Sequence, residues 1–155
     1  LDRFLDCGAE AAVAATAAVD GDDPAATLRR QRRALALAVA LGDLAGELPL
    51  EALTGHLSDF ADRAIDRALA LACEERVPGA SSAGFAVIAL GKLGSRELNY
   101  SSDVDLLLLF DPATISRRPR DAPEESALRI ARRKVDLLQQ RTADGYVARV
   151  DLRLR

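Results

Sequence analysis

The 155-residue sequence contains no methionine, no tryptophan, a single histidine (His56) and only two cysteines, Cys7 and Cys73. Each shortage removes a class of chemistry. Two cysteines in neither a metal nor a redox spacing, with one histidine, cannot assemble a zinc site, and nothing in their use suggests secretion. His56 has no metal-ligand partner at helical spacing and reads as a structural or surface residue, so general-base chemistry cannot lean on histidine. No apolar run reaches the length of a membrane span and no signal sequence is recognised, which leaves the cytoplasm as the expected compartment. The net charge of −3 argues against a nucleic-acid surface that works by bulk charge. Any phosphate binding must therefore be local.

What remains is a globular composition, with 49% hydrophobic and 29% charged residues. The length suits one ordinary domain, or one domain with a helical extension. The chain begins at Leu1, lacks methionine and ends on Arg155 just as a strand finishes, which reads as a piece of a longer protein. Aromatics are 4% of the residues and alanine is abundant, so helices with small-residue contacts are expected.

The first half, 1–78, reads as a helical segment. An alanine-rich helix is expected over 2–19, ending near Asp20-Gly21. Asp23-Pro24 is a helix start, an acid at the N-cap followed by proline at the first helical position, and this second helix runs to about Ala45. Arg29, Arg30, Arg32 and Arg33 cluster on it, either as a solvated face or as a contact for an acidic partner. A third helix is expected from Leu50 to Arg76, with Leu57, Phe60, Ala61, Ala64, Ile65, Ala68, Leu71 and Ala72 as an apolar stripe. Residues 77–84, rich in glycine and serine, form the one clear internal boundary.

The second half, 84–155, is organised around Phe85–Phe110. Two short apolar runs, 85–90 and 106–110, have the length of buried strands. Between them Gly91 and Gly94 permit a tight turn and a close backbone approach. Asp103 and Asp105 are two residues apart, so on a strand both carboxylates project from one face, roughly 6.5–7 Å apart. A proline- and arginine-rich loop (112–123) follows, then a helix over 123–142 with Leu128, Ala131, Val135 and Leu138 facing inward. In the final strand, over 146–152, alternation puts Val147, Arg149, Asp151, Arg153 and Arg155 on the polar face. Paired beside 104–110, that strand brings Asp151 within reach of Asp103 and Asp105, since neighbouring strands lie about 4.8 Å apart.

Three carboxylates so gathered cannot all stay ionised without a counter-charge. Mg²⁺ or Mn²⁺ supplies it and prefers hard oxygen ligands. Two such ions can stabilise the attacking and leaving oxygens of an in-line displacement at phosphorus, a reaction that needs positioning and charge neutralisation rather than a histidine. Backbone amides of Gly91–Ser95, helped by Lys92 and the hydroxyls of Ser101 and Ser102, are the expected phosphate cradle. The G-x-x-x-x-G-K-[S/T] spacing of a Walker loop is absent. Lys92 also reads as an ordinary surface lysine, and Arg153 and Arg155 as the salt-bridged outer face of an edge strand.

The stretch G-K-L-G-S-R-E-L-N-Y-S-S-D-V-D-L, residues 91–106, resembles the signature of the glutamine synthetase adenylyltransferase/adenylyl-removing enzymes, a branch of the DNA polymerase β-like nucleotidyltransferases. Arg149-Val150-Asp151-Leu152-Arg153-Leu154-Arg155 resembles the family's element carrying the third aspartate. The resemblance covers 84–155 well and the first half loosely. It implies an α+β fold, a helical amino-terminal segment followed by a polymerase β-like core with a small mixed sheet. It implies Asp103, Asp105 and Asp151 as catalytic metal ligands, with Gly91, Lys92, Gly94, Ser95, Ser101, Ser102, Arg149 and Arg153 around phosphate and nucleotide. Ser95 stands where the family usually carries a further glycine, adding a hydroxyl and stiffening the turn.

The implied activity is Mg²⁺- or Mn²⁺-dependent nucleotidyl transfer on glutamine synthetase, with ATP, ADP and phosphate as small substrates and the PII signal protein as regulator. Neither nucleic acid nor membrane is an expected partner. Glu97-Leu98-Asn99 and Arg149 resemble the half that removes AMP by phosphorolysis. The alternatives are adenylylation from ATP on the same scaffold, and a non-catalytic module that senses a partner.

Overall fold

The structure, a computed structural model, describes residues 2–154. In chain order it comprises α1 (Asp2–Thr16), α2 (Pro24–Leu44), α3 (Leu50–Arg76), β1 (Phe85–Leu90), α4 (Gly91–Gly94), β2 (Val104–Phe110), α5 (Pro123–Gln139) and β3 (Val150–Leu154). The class is α+β: helices first, then a small mixed sheet in the order β1-β2-β3. No helix among the described residues is long and apolar enough to cross a membrane.

α2 begins where Asp23-Pro24 places it. The Asp23 carboxylate accepts from the amides of Ala25 (3.0 Å) and Ala26 (3.2 Å), two donors that the first turn leaves without helical acceptors. α3 has the expected bounds, and the expected stripe is buried except for a half-buried Leu71. α1 stops at Thr16, short of the expected 19, and is kinked at Gly8, where Glu47 Oε2 accepts the Ala9 amide at 2.8 Å.

β1 and β2 run antiparallel, as a short connection requires, with Leu90 opposite Asp105 and Ile88 opposite Leu107. β2 and β3 run parallel, which needs a long crossover, and α5 supplies it. Val104, Leu106 and Leu108 of β2 are buried, and Val104 and Leu106 pack in one cluster with apolar residues of α1, α2, α3 and α5. The four long helices α1, α2, α3 and α5 thus contribute to one core on one side of the sheet. The opposite face carries Ala86, Ile88 and Leu90 of β1, exposed, beside Asp105.

Several expectations are corrected. The helix expected over 123–142 ends at Gln139, because Gln140 leaves helical geometry (φ −56°, ψ 122°). The Leu138 carbonyl then accepts the amides of both Val147 and Ala148 at 3.0 Å. Its buried stripe is Ser126, Ala127, Ile130, Ala131, Lys134, Leu137 and Leu138, so Leu128, at 40% exposure, turns outward. The last strand starts at Val150 rather than 146, and Val147 is buried rather than on the polar face, since the preceding segment folds back onto α5. Arg155 lies outside the described residues.

The arginine cluster of α2 is solvated and acid-paired only at Arg33, while the rest of it packs inward. Arg29 is only 5% exposed, Arg32 Nη2 donates to the Tyr100 carbonyl at 2.9 Å, and Arg33 pairs with Asp144 at 3.6 Å. The 112–123 loop is tied down: Ile115 is buried, Arg118 Nε donates to the Arg76 carbonyl at 3.0 Å, and Arg76 pairs with Asp121. His56 faces Glu10 of α1, with Nε2 3.2 Å from a carboxylate oxygen.

Candidate active site

The site lies where the three strands, α4 and the 95–103 loop meet. In the sheet register Asp105 pairs with Leu90 on one side and with Asp151 on the other. This pairing places the two aspartates at neighbouring positions across a parallel ladder. Both line a cleft of about 150 Å³ with Leu90, Gly91, Leu106 and Arg153. The buried Val104 and Leu106 on either side of Asp105 fix its side chain to the opposite, open face.

Both glycines of the turn are demanded by contact. Gly91 has φ +54°, and a Cβ there would sit 3.0 Å from Asp105 Oδ2. A Cβ on Gly94 would meet the Ala89 carbonyl oxygen at 2.7 Å, with backbone on the other side that cannot move away cheaply. α4 is a single turn: the amides of Ser95, Arg96 and Glu97 return to the carbonyls of Gly91, Leu93 and Lys92. The Ser95 amide is therefore spent inside the turn. Its hydroxyl also folds back, 3.3 Å from the carbonyls of Gly91 and Lys92 and 3.2 Å from Glu97 Oε2. Lys92 is exposed.

The loop from Ser95 to Asp103 is held from the helical side at three places. Arg96, at φ +61°, pairs with Asp59 and, at 3.6 Å, with Asp62 of α3. Burial pushes the Asp62 carboxyl above its ordinary value, against the pull of Arg96. Ser58 Oγ accepts the Leu98 amide at 3.4 Å, and Arg32 holds the Tyr100 carbonyl. Sequence reasoning missed Arg96 and Ser58. An arginine in left-handed backbone leaves no sequence signature, whereas the Arg32 cluster was visible without its target.

Asn99 and Ser102 close the loop on itself. Asn99 Oδ1 accepts the Ser102 hydroxyl at 2.7 Å and the Ser101 amide at 3.1 Å. Ser102 thus shapes the loop, and its hydroxyl is already engaged. Asp103, one residue before β2, does not line the cleft: its Oδ1 accepts from Arg149 Nε, while Arg149 Nη2 donates to the Ser101 carbonyl. Asp105 and Asp151 are brought together, and Asp103 is held beside them by a guanidinium. Among the described residues no group of three or more His, Cys, Asp or Glu side chains is gathered for a metal ion.

The donor set that is present fits a hard divalent cation. Mg²⁺ takes one or two carboxylates and completes its shell with water and substrate phosphate oxygens. Asp105 and Asp151 provide two carboxylates on one cleft, and Arg153 stands in its wall as a partner for an anion.

The comparisons set this α+β frame, with its paired carboxylates beside a glycine turn, among the nucleotidyltransferases. The chain belongs to the glutamate-ammonia ligase adenylyltransferase family, whose model matches residues 4–155. Three relatives carry the name bifunctional glutamine synthetase adenylyltransferase/adenylyl-removing enzyme. The protein of Xanthobacter autotrophicus is 44% identical over 98% of this chain, that of Rhizobium meliloti 40% over 92%, and that of Caulobacter vibrioides 40% over 94%. In each case the chain spans 16% of the relative's length.

Proposed function

We propose that the chain carries a nucleotidyl-transfer site that removes AMP from an adenylyl-tyrosine of glutamine synthetase by phosphorolysis. The observation that carries this reading is the in-register pair Asp105–Asp151 at the cleft bordered by Gly91. The direction rests on Glu97-Leu98-Asn99 and Arg149, the residues that resemble the removing half. In the reaction an oxygen of inorganic phosphate forms a bond to the AMP phosphorus, the bond from phosphorus to the tyrosine oxygen breaks, ADP leaves, and the tyrosine oxygen takes up a proton.

Asp105 and Asp151 would hold Mg²⁺ or Mn²⁺, which when bound neutralises charge on the transferring phosphoryl oxygens. Asp103, held beside them by Arg149, would be the third carboxylate available to such an ion. Arg153 and Lys92 offer charge to the incoming phosphate, and the amides that open α4 have no helical acceptor and supply neutral donors. The Asn99–Ser102 closure and the Arg32, Ser58 and Arg96 contacts orient the strand head that bears the carboxylates. The site lies on an open sheet face, the side from which a protein substrate can present a tyrosine. The PII signal protein stands as regulator on the family resemblance alone.

The relatives' bifunctional name favours one second reading, the adenylylating direction, in which AMP passes from ATP to the tyrosine and diphosphate leaves. Incubation with adenylylated glutamine synthetase, Mg²⁺ and phosphate separates the two. ADP release by the chain, lost in Asp105→Asn, supports removal; AMP incorporation from ATP into unmodified synthetase without ADP release reverses the direction. Neither product, with Mn²⁺ binding intact, contradicts the catalytic reading of this chain.

A further inference from the structure

The geometry points to a second role for Arg149: it is the resident counter-cation of Asp103, and it gives up that carboxylate when a divalent cation enters the neighbouring cleft. This inference rests on the metal-site reading above. It explains why Asp103 is separated from the pair it was expected to join. Asp103 and Asp105 flank the buried Val104 and are both exposed, so both carboxylates start from the same side of the chain. Yet only Asp105 lines the cleft with Asp151, whereas Asp103 accepts from Arg149 Nε.

The guanidinium is held at two points, Asp103 and the Ser101 carbonyl, and is therefore positioned rather than merely nearby. The Arg149 carbonyl accepts the Val104 amide at 2.8 Å, which fixes its backbone one residue from Asp103. Release therefore needs only side-chain rotation and leaves the sheet intact. Both partners are more than half exposed, with side-chain accessibilities of 54% and 59%. Ion pairs of that kind are weak and easily exchanged. A divalent cation beside Asp105 and Asp151 offers Asp103 the larger charge, so the exchange runs in its favour. Without the arginine, the aspartates at the heads of β2 and β3 would repel one another and loosen the loop that carries Asp103. In this view Arg149 keeps the metal-free site assembled at the cost of some metal affinity.

Direct Mn²⁺ titration, followed by calorimetry or by the electron paramagnetic resonance of free Mn²⁺, tests the sign. Arg149→Met should bind Mn²⁺ roughly two- to fivefold more tightly than the parent chain, the range set by the loss of one exposed ion pair. The gain should disappear when Asp103→Asn is also present. Addition of Mg²⁺ should shift the Arg149 Nε–H resonance toward that of a free guanidinium. Unchanged or weaker binding by Arg149→Met overturns the proposal, as does a gain that persists in the Asp103→Asn background, which would mark a general charge effect. If neither the parent chain nor any variant binds Mn²⁺, the metal-site reading fails and the counter-cation role falls with it.

Discussion

Lys134 should make the stability of this fold depend on pH in a way that one substitution removes. It is 0% exposed, lies on the face of α5 packed against α3, and its Nζ has no hydrogen-bond partner among the described residues. Burial pulls its pKa down from 10.5 to about 8, with Asp66 opposing. The folded state therefore releases this proton before the unfolded state does. Below pH 8 both states hold it, and the fold carries the full cost of a buried ammonium. Between pH 8 and 10.5 the unfolded chain binds more protons, so stability rises with pH at up to about 1.4 kcal/mol per unit, about 3 kcal/mol in all.

Cys73 works against this rise at higher pH. Its buried thiol is pushed up to about 11, so above its ordinary value of 9.0 only the unfolded state ionises and stability falls. Tyr100, raised by burial and by Asp43, acts in the same direction from about pH 10 upward. The window from pH 7 to 9 isolates Lys134. Urea unfolding of the parent chain and of Lys134→Met across that window should show a difference that favours the variant at pH 7. The difference should shrink by about 1 kcal/mol by pH 9. Parallel curves would refute the assigned burial of an unpaired amine.

Four further outcomes follow from contacts already described. Asp105→Asn and Asp151→Asn should each lower turnover by roughly a hundredfold or more, about 3 kcal/mol, while leaving the thermal midpoint nearly unchanged. Gly94→Ala should cost about 1–3 kcal/mol by urea unfolding, because its methyl group meets the Ala89 carbonyl at 2.7 Å. Arg32→Ala should raise amide exchange over 99–103 and cost about 1 kcal/mol through the lost Tyr100 contact, with Arg32→Lys recovering part of it. Asp23→Ala should cost about 1 kcal/mol by removing both cap bonds of α2.

Strong local signals carried much of this structure into the sequence. The Asp23-Pro24 start, the α3 stripe and the two apolar runs are short-range patterns, and the elements follow them closely. The faces of Asp105 and Asp151 were legible for the same reason, since strand alternation fixes a face, whereas their register depended on the last strand lying beside β2 and is supplied by the fold. What escaped was decided by tertiary contact. Lys134 is absent from the inward face expected for this helix, Leu128, Ala131, Val135 and Leu138, yet the packing of α5 on α3 buries it. The strand expected from 146 loses its first residues because one carbonyl, that of Leu138, captures two successive amides. Arg149 reads as one of several arginines flanking an aspartate, and only the fold reveals that it grips Asp103.

The most direct test of the account is a crystal of the chain soaked in Mn²⁺ and measured at the manganese edge. The account predicts an anomalous peak in the cleft, within bonding distance of carboxylate oxygens from both Asp105 and Asp151, and none in Asp105→Asn. A peak elsewhere, or an empty cleft in a crystal that takes up Mn²⁺ at other positions, would contradict it.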